Sequence, residues 1–380
     1  MFIERFRKIR SSVTLVCGDS PPNPMIESIL QKTLEGQRID KAEALQLFDC
    51  TDMNLLGNVA TRLARMRRKS DGNVVTYIID RNINYTNVCV TDCSFCAFYR
   101  HEGHDEAYVL PFETIAKKIE EMIAIGGRQI LMQGGHHKDL RIDYFEDLFK
   151  RLKERFDVHL HALSPPEIVH TSKISKIPLN ETLERLIAAG LDSIPGGGGE
   201  ILVDRVRKII SPKKCSADQW LEVMGQAHQL GLATTATMMY GHVETLEERI
   251  EHLLRIRDQQ DKTGGFTAFI PWPFQPGQTE LAGRIEPPSN TGLDYLRTLA
   301  ISRIVLDNID NIQSSWVTQG PKIGQMALYY GANDMGSVMM EENVVSEAGT
   351  VYHLDEKEIC RLITDSGHTP QKRNMHYEFV

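Results

Sequence analysis

A chain of 380 residues, 41 % apolar and 25 % charged, has an ordinary globular composition and enough apolar material for one large barrel with extensions. Its net charge of −8 argues against non-specific nucleic-acid binding, and it contains no apolar run of the ~18 residues needed to cross a membrane. Seven cysteines without a paired framework, and a charged N-terminus without an apolar signal core, predict a reducing, cytoplasmic setting.

Residues 1–20 lack periodicity and are expected to be weakly ordered. From Pro24 the pattern turns helical: Met25, Ile26, Ile29, Leu30 and Leu34 recur at helical spacing, with Gly36 as the stop. Asp40 is positioned to cap a second helix through Leu47, and a third spans about 52–69. The basic end of the third, Arg65 to Lys69, either opposes the helix macrodipole or offers a nucleotide contact; without interleaved aromatics the first is favoured. Residues 73–79 are β-branched and predict a strand closing the bottom of a barrel. Strands and helices then alternate. Strands are expected at 82–88, 128–132, 158–163, 191–194, 232–240, 266–270, 312–317 and 336–340. Helices are expected at 111–124, at 144–156, from a cap at Asn180 to Ala189, and from the capping box at Ser216 to Gly231. Others run from the box at Thr245 to Lys262, over 293–308, and onward from Pro321. A Pro/Gly-rich loop covers 271–288, and the charged tail from Asp355 carries one short helix. Eight alternating strands predict a (β/α)8 TIM-type barrel over 73–345, with an N-terminal helical extension (1–72) and a C-terminal tail packed on the barrel (346–380). An open parallel sheet is the alternative; the uniform alternation favours the barrel.

The strand at 82–88 runs straight into Cys89, Cys93 and Cys96, spaced C-x3-C-x2-C. Three thiolates on one loop do not complete a four-ligand structural zinc site. They can hold three irons of a [4Fe–4S] cluster and leave the fourth open to a small molecule. In a barrel the reactive groups sit at the C-terminal strand ends. The following strands end in Gln133-Gly134-Gly135-His136-His137, near His159, His161, Ser164 and Glu167, in Pro195 to Glu200, in Tyr240-Gly241-His242-Val243-Glu244, and in Pro271 to Gln275. Polar and aromatic groups thus share one rim with the cysteines. Plainer roles stand beside these. Gly134-Gly135 suits any strand-to-helix turn, and adjacent His136 and His137 seldom converge on one ion. His159 and His161 share a strand face, either lumenal or beneath the helices. The glycines at 196–199 lack a nucleotide-triphosphate signature and suit a backbone lying against a cofactor. Glu200 is then a candidate acceptor for an amine or sugar hydroxyl.

Cys89-x3-Cys93-x2-Cys96, with Phe95 before the last cysteine, resembles the radical S-adenosylmethionine superfamily. The resemblance implies a [4Fe–4S] cluster on the three cysteines and S-adenosyl-L-methionine on its open iron. It also implies a 5′-deoxyadenosyl radical that abstracts hydrogen from the substrate. Gln133-Gly134-Gly135 stands where the superfamily shows Gly-Gly-Glu, so backbone contact with the methionyl amine is implied and a carboxylate contribution is not. Phe95 fits the apolar position near the adenine. Longer stretches, at 84–100, 133–137, 193–202, 239–245 and 264–271, resemble the branch that serves menaquinone synthesis by the futalosine route. There the cyclic dehypoxanthine futalosine synthases stand first, with aminofutalosine synthases and deazaflavin F0 synthase subunits as alternatives. The implied reaction abstracts hydrogen from the ribose of dehypoxanthine futalosine, at C4′, and closes a carbon–carbon bond within the molecule. His242 and Glu244 are the candidate bases. His136, His161 and Arg100 are candidate substrate contacts, Arg100 suiting a surface ion pair equally well. A flavodoxin or ferredoxin is implied as electron donor. An Fe–S carrier or sensor, or a zinc-stabilised binding barrel, are the non-enzymatic alternatives; a carrier normally fills every cluster position with cysteine.

Overall fold

Three helices precede the first strand: α1 (Pro24–Leu34), α2 (Lys41–Gln46) and α3 (Met53–Arg67). Asn23 accepts from the Met25 N–H to cap α1, and Asp40 with Glu43 forms a capping box on α2. Arg65 and Arg67 close α3, where cations favour the helix dipole. The computed structural model describes residues 23–67, 73–286, 290–349 and 352–380, so the expectation for residues 1–20 lies outside it. Among the described residues no helix is long and apolar enough to cross a membrane.

Seven parallel strands form one sheet in chain order: β2 (Asp80–Ile83), β3 (Gln129–Met132), β4 (His159–Ala162), β5 (Ser193–Ile194), β6 (Ala233–Tyr240), β7 (Phe266–Pro273) and β8 (Asn311–Ile312). Between them run α4 (Phe112–Ala124), α5 (Ile142–Arg155), α6 (Pro165–Ser175), α7 (Leu179–Ala189), α8 (Asp204–Ile210), α9 (Ala217–Gln229), α10 (Leu246–Thr263) and α11 (Gly292–Val305). Alternate strand residues such as Ile130, Met132, Leu160, Ala162 and Ile194 are fully buried with the apolar faces of these helices. α3 packs beside α11, so the N-terminal helices extend the same core. The barrel-type α/β architecture expected from the alternation is present.

Its closure differs in detail from eight equal strands. The segment expected at 312–317 pairs only over β8, because Trp316 already opens α12 (Trp316–Met326). The eighth strand, β9 (Asp334–Ser337), belongs to a second sheet, ordered β10–β1–β9, with β1 (Val74–Ile78) and β10 (Thr369–Lys372). Two backbone hydrogen bonds tie β9 to β8: Asn333 N–H to Ile312 O (3.0 Å) and Ser314 N–H to Asp334 O (2.8 Å). β1 pairs with β9 and continues through Ile79 into β2. The curled sheet is therefore linked end to end through β9 and β1.

Two helices were not expected from periodicity, α6 and α8. α6 nevertheless carries a start signal, Ser164-Pro165-Pro166-Glu167, which is a capping box with proline in the first turn. α7 begins after Pro178, not at Asn180, which lies inside its first turn. α12 breaks at Gly320 (φ +76°), and Pro321 starts its second half. The segment after β10 lies at the N-terminal strand ends. Arg373 is buried against Asp334 (2.6 and 3.0 Å), and Tyr377 and Phe379 line a cavity of about 530 Å³ with Phe266 and Asn311.

Candidate active site

β2 delivers the chain to the cysteine loop, and the loop is stitched to the segment on its C-terminal side. Cys89 N–H donates to Arg100 O (3.1 Å), Arg100 N–H to Asn87 O (2.8 Å), and Tyr108 N–H to Asn87 Oδ1 (2.9 Å). Ser94 N–H reaches Ile210 O at the end of α8, and Leu281 N–H returns to Ser94 O, so the loop is held from the far side of the barrel too. Within it, the Thr91 hydroxyl lies 2.9 Å from Cys89 Sγ and 3.5 Å from Cys93 Sγ. The six described cysteines are all free.

The turn after β3 packs directly on this loop. His136 N–H donates to Cys89 Sγ (3.3 Å), Val90 N–H to His136 O (3.1 Å), and Gly135 N–H to Thr86 O (2.9 Å). Only glycine fits at 135: a Cβ there would lie 2.2 Å from Val88 O. One buried carboxylate fixes the turn. Glu167, at the start of α6, accepts from Gly134 N–H (2.9 Å), Tyr85 Oη (2.9 Å), Ser164 N–H (2.8 Å) and Ser164 Oγ (2.6 Å). Burial pushes its carboxyl up, against the pull of these four donors.

Opposite lies the glycine loop after β5. Gly197 sits where a Cβ would meet Gln133 Nε2 at 2.2 Å, so this loop too lies against the β3 turn. Arg207 of α8 pins it by donating to Gly198 O (3.0 Å) and Gly199 O (2.9 Å). Glu200 is buried in left-handed backbone (φ +36°) and accepts from Lys214 Nζ (3.0 Å) and Arg207 Nη1 (3.4 Å). Burial would raise its carboxyl, but Lys214 and Arg207 outweigh that and hold it below the ordinary carboxylate range. The Lys214 ammonium also stands 5.0 Å from the Phe95 ring centroid. Burial pushes the Cys93 thiol up to about 11, with Lys214 pulling the other way. Three thiols, a cation and a carboxylate thus meet beside two glycine-rich turns.

Comparisons with known proteins decide the family. Residues 83–256 match the radical SAM superfamily, and residues 263–380 match the CofH/MqnC C-terminal region. The chain is 45 % identical over 356 residues to a cyclic dehypoxanthine futalosine synthase of Halalkalibacterium halodurans, covering 93 % of this chain and 95 % of the relative. It is also 45 % identical to that of Streptomyces coelicolor, with 93 % and 89 % covered. The chain belongs to the radical SAM superfamily, in the group of these synthases. An aminodeoxyfutalosine synthase of Thermus thermophilus is 38 % identical, with 94 % and 96 % covered. Among solved structures, methylornithine synthase superposes with TM-score 0.71 at 18 % identity, covering 90 % of this chain and 97 % of that one, which bears on the fold alone.

In this radical SAM enzyme the cysteines, Phe95, the Gln133–Gly135 turn and Glu200 are brought together, and three expectations are corrected. Arg100 is not available to a substrate carboxylate. Its guanidinium donates to Ala97 O, Phe98 O and Tyr99 O and pairs with Glu106 and Glu347, so it braces the loop. His242 and Glu244 are not free bases, and their side chains are sealed from solvent. His242 Nε2 meets Met239 O (3.0 Å), and Nδ1 meets Val243 N–H (2.7 Å) and Glu244 Oε2 (3.1 Å). Glu244 takes the Gly241 and His242 N–H groups and Arg249. They build the turn after β6. The His136 ring, by contrast, is buried within reach of the Lys214 charge and packs against the His170 ring, 5.0 Å between centroids, while its N–H meets the cysteine loop. Sequence reasoning missed Lys214, Arg207 and Thr91 and gave Glu167 no definite role. Only Glu167 carried a signal, its place in the capping box.

The residues present fit an iron–sulfur cluster with S-adenosylmethionine. Three free thiols lie within eight residues on one loop, and the Lys214 ammonium beside them suits the negative charge of cluster thiolates.

Proposed function

We propose that this enzyme converts dehypoxanthine futalosine to its cyclic form in menaquinone biosynthesis. The observation that carries it is the contact between motifs: the Gly-Gly turn of β3 donates its His136 N–H to Cys89 Sγ, in a chain 45 % identical to synthases of that name. In this reading Cys89, Cys93 and Cys96 hold the cluster. The Gln133–Gly135 backbone meets the methionyl amine, Phe95 lies beside the adenine, and Glu200 accepts from the amine or a ribose hydroxyl. When bound, the cofactors supply a radical that removes a hydrogen atom from the substrate ribose. The chain supplies the rest. Its loops orient the ribose carbon against the attached aromatic ring, and the barrel wall keeps water from a carbon radical. Lys214 neutralises negative charge beside the thiolates, and a flavodoxin or ferredoxin in the cytoplasm donates electrons.

Anaerobic incubation of reconstituted enzyme with dehypoxanthine futalosine and S-adenosylmethionine tests this. A product lighter than the substrate by two hydrogens, absent with Cys93→Ala, is expected. An adduct containing adenosine, or activity retained by Cys93→Ala, would overturn it.

A further inference from the structure

Closing the new bond breaks the aromaticity of the acceptor ring. Restoring it requires the ring carbon to lose one proton, and the ring one electron, inside a walled barrel. Both rim residues expected to take the proton, His242 and Glu244, are bound to backbone. Lower in the barrel another device stands ready. Ser193 of β5 has its Oγ 2.7 Å from His161 Nδ1 and 2.7 Å from His159 Nε2, both on β4. The three side chains share one face, as their hydrogen bonds show, and strand alternation makes it the face of Leu131 and Gln133, the latter's amide reaching the glycine loop at Gly197. His161 is paired in register with Leu131, two residues before Gln133 of the cofactor turn, so it lies below that turn on the neighbouring strand.

A serine hydroxyl has one proton, so a bridge between two imidazoles has a direction. With His161 Nδ1–H donating to Oγ, and Oγ–H donating to His159 Nε2, His161 Nε2 is left as an acceptor. That nitrogen makes no hydrogen bond among the described residues. At the other end the His159 ring lies 5.5 Å from that of His376, which is exposed at the N-terminal end of the barrel. Burial disfavours a proton resting on either imidazole, so the pair passes one on instead of holding it; the charge of Arg373 adds to this at His161, and the Asp192 carboxylate, bonded to Lys153, offsets part of it at His159.

We propose that His161, Ser193 and His159 form a proton relay that drains the cyclised substrate toward the barrel end beside His376; this rests on the reaction proposed above. The ring C–H breaks, its proton goes to His161 Nε2, and the electron leaves to a one-electron iron–sulfur acceptor. In the same movement Nδ1–H passes to Ser193 Oγ, Oγ–H passes to His159 Nε2, and His159 releases its Nδ1 proton. Ser193 and His159 are positioning residues in this scheme, and only His161 faces the substrate.

The test separates two products of reconstituted enzyme: 5′-deoxyadenosine, which reports hydrogen abstraction, and the cyclic product, which reports proton loss. In Ser193→Ala the yield of cyclic product per deoxyadenosine is expected to fall at least about tenfold, within the range a positioned acid–base group supplies. A shunt product of unchanged substrate mass should appear, formed when the ring radical gains an electron and a proton. Ser193→Thr, which keeps the hydroxyl, should restore coupling, and His159→Asn should uncouple like Ser193→Ala. Parallel loss of both products, or an unchanged ratio, would overturn the relay. Iron content and circular dichroism report folding; if Ser193→Ala fails to fold, His159→Asn decides alone. Wild-type enzyme that makes no cyclic product refutes the functional reading and the relay with it, whereas unchanged coupling in the variants refutes the relay only.

Discussion

Glu167 shows how much one buried side chain can organise. It joins the ends of β2, β3 and β4 through four donors, and both carboxylate oxygens are used twice. Glutamine offers one acceptor oxygen and turns an NH2 toward the remaining donors. Glu167→Gln is therefore expected to cost about 2–3 kcal/mol, read as a lowered urea midpoint with unchanged m-value, because buried donors are left unmatched. The cysteines were legible as a site because their spacing alone implies a shared centre. His242 and Glu244 misled because a histidine and a glutamate at a strand end on the reactive rim suit a base. What decides is where the backbone N–H groups point, and the turn after β6 aims them at these side chains.

Elements were legible where they carry local chemistry. The capping boxes at Ser216 and Thr245 mark α9 and α10 in the sequence and are formed in the structure. The partition of strands between sheets was not legible, because β1, β9 and β10 look like ordinary strands and their grouping depends on Asp334. That carboxylate accepts from Thr76 Oγ1 of β1, Gly336 N–H of β9 and the Arg373 guanidinium just after β10. Arg373→Leu strips the cation and leaves the carboxylate buried. We expect a loss of about 3–5 kcal/mol in chemical unfolding, the usual result of orphaning a buried charge. Asp334→Asn combined with Arg373→Leu should recover part of it, since neither charge then remains.

At the scale of the whole molecule, burial of histidines sets the acid limit. Burial lowers His159 to about 4, His228 to about 4 and His252 to about 3 from an ordinary value near 6.5. Unfolded chain then binds protons between these values and 6.5 that folded chain does not. Stability is full above pH 6.5 and falls as pH drops toward 4, by about 1.4 kcal/mol per pH unit for each such histidine. Asp80 works in the opposite sense: burial raises it to about 6, so the folded state takes up its proton first and gains stability below that value. Glu167, Asp294 and Glu342 are raised as well, but the histidines lowered by burial, which also include His136, His161, His170 and His242, outnumber these carboxyls and predict a melting temperature that declines from pH 7 to 4.5. A flat or rising profile of apo-protein by calorimetry would contradict this.

The sequence by itself determined the cysteine loop, the alternating strands and helices, and the rim on which reactive groups gather, because spacing, periodicity and caps are local properties of the chain. Only the tertiary structure decided which of those groups are free to act. It spent Arg100, His242 and Glu244 on backbone and brought Lys214 to the thiolates from a loop more than a hundred residues away. It also set Ser193 between two histidines of a neighbouring strand. Hydrogen-bond commitment is a property of three-dimensional neighbours, and no one-dimensional pattern records it.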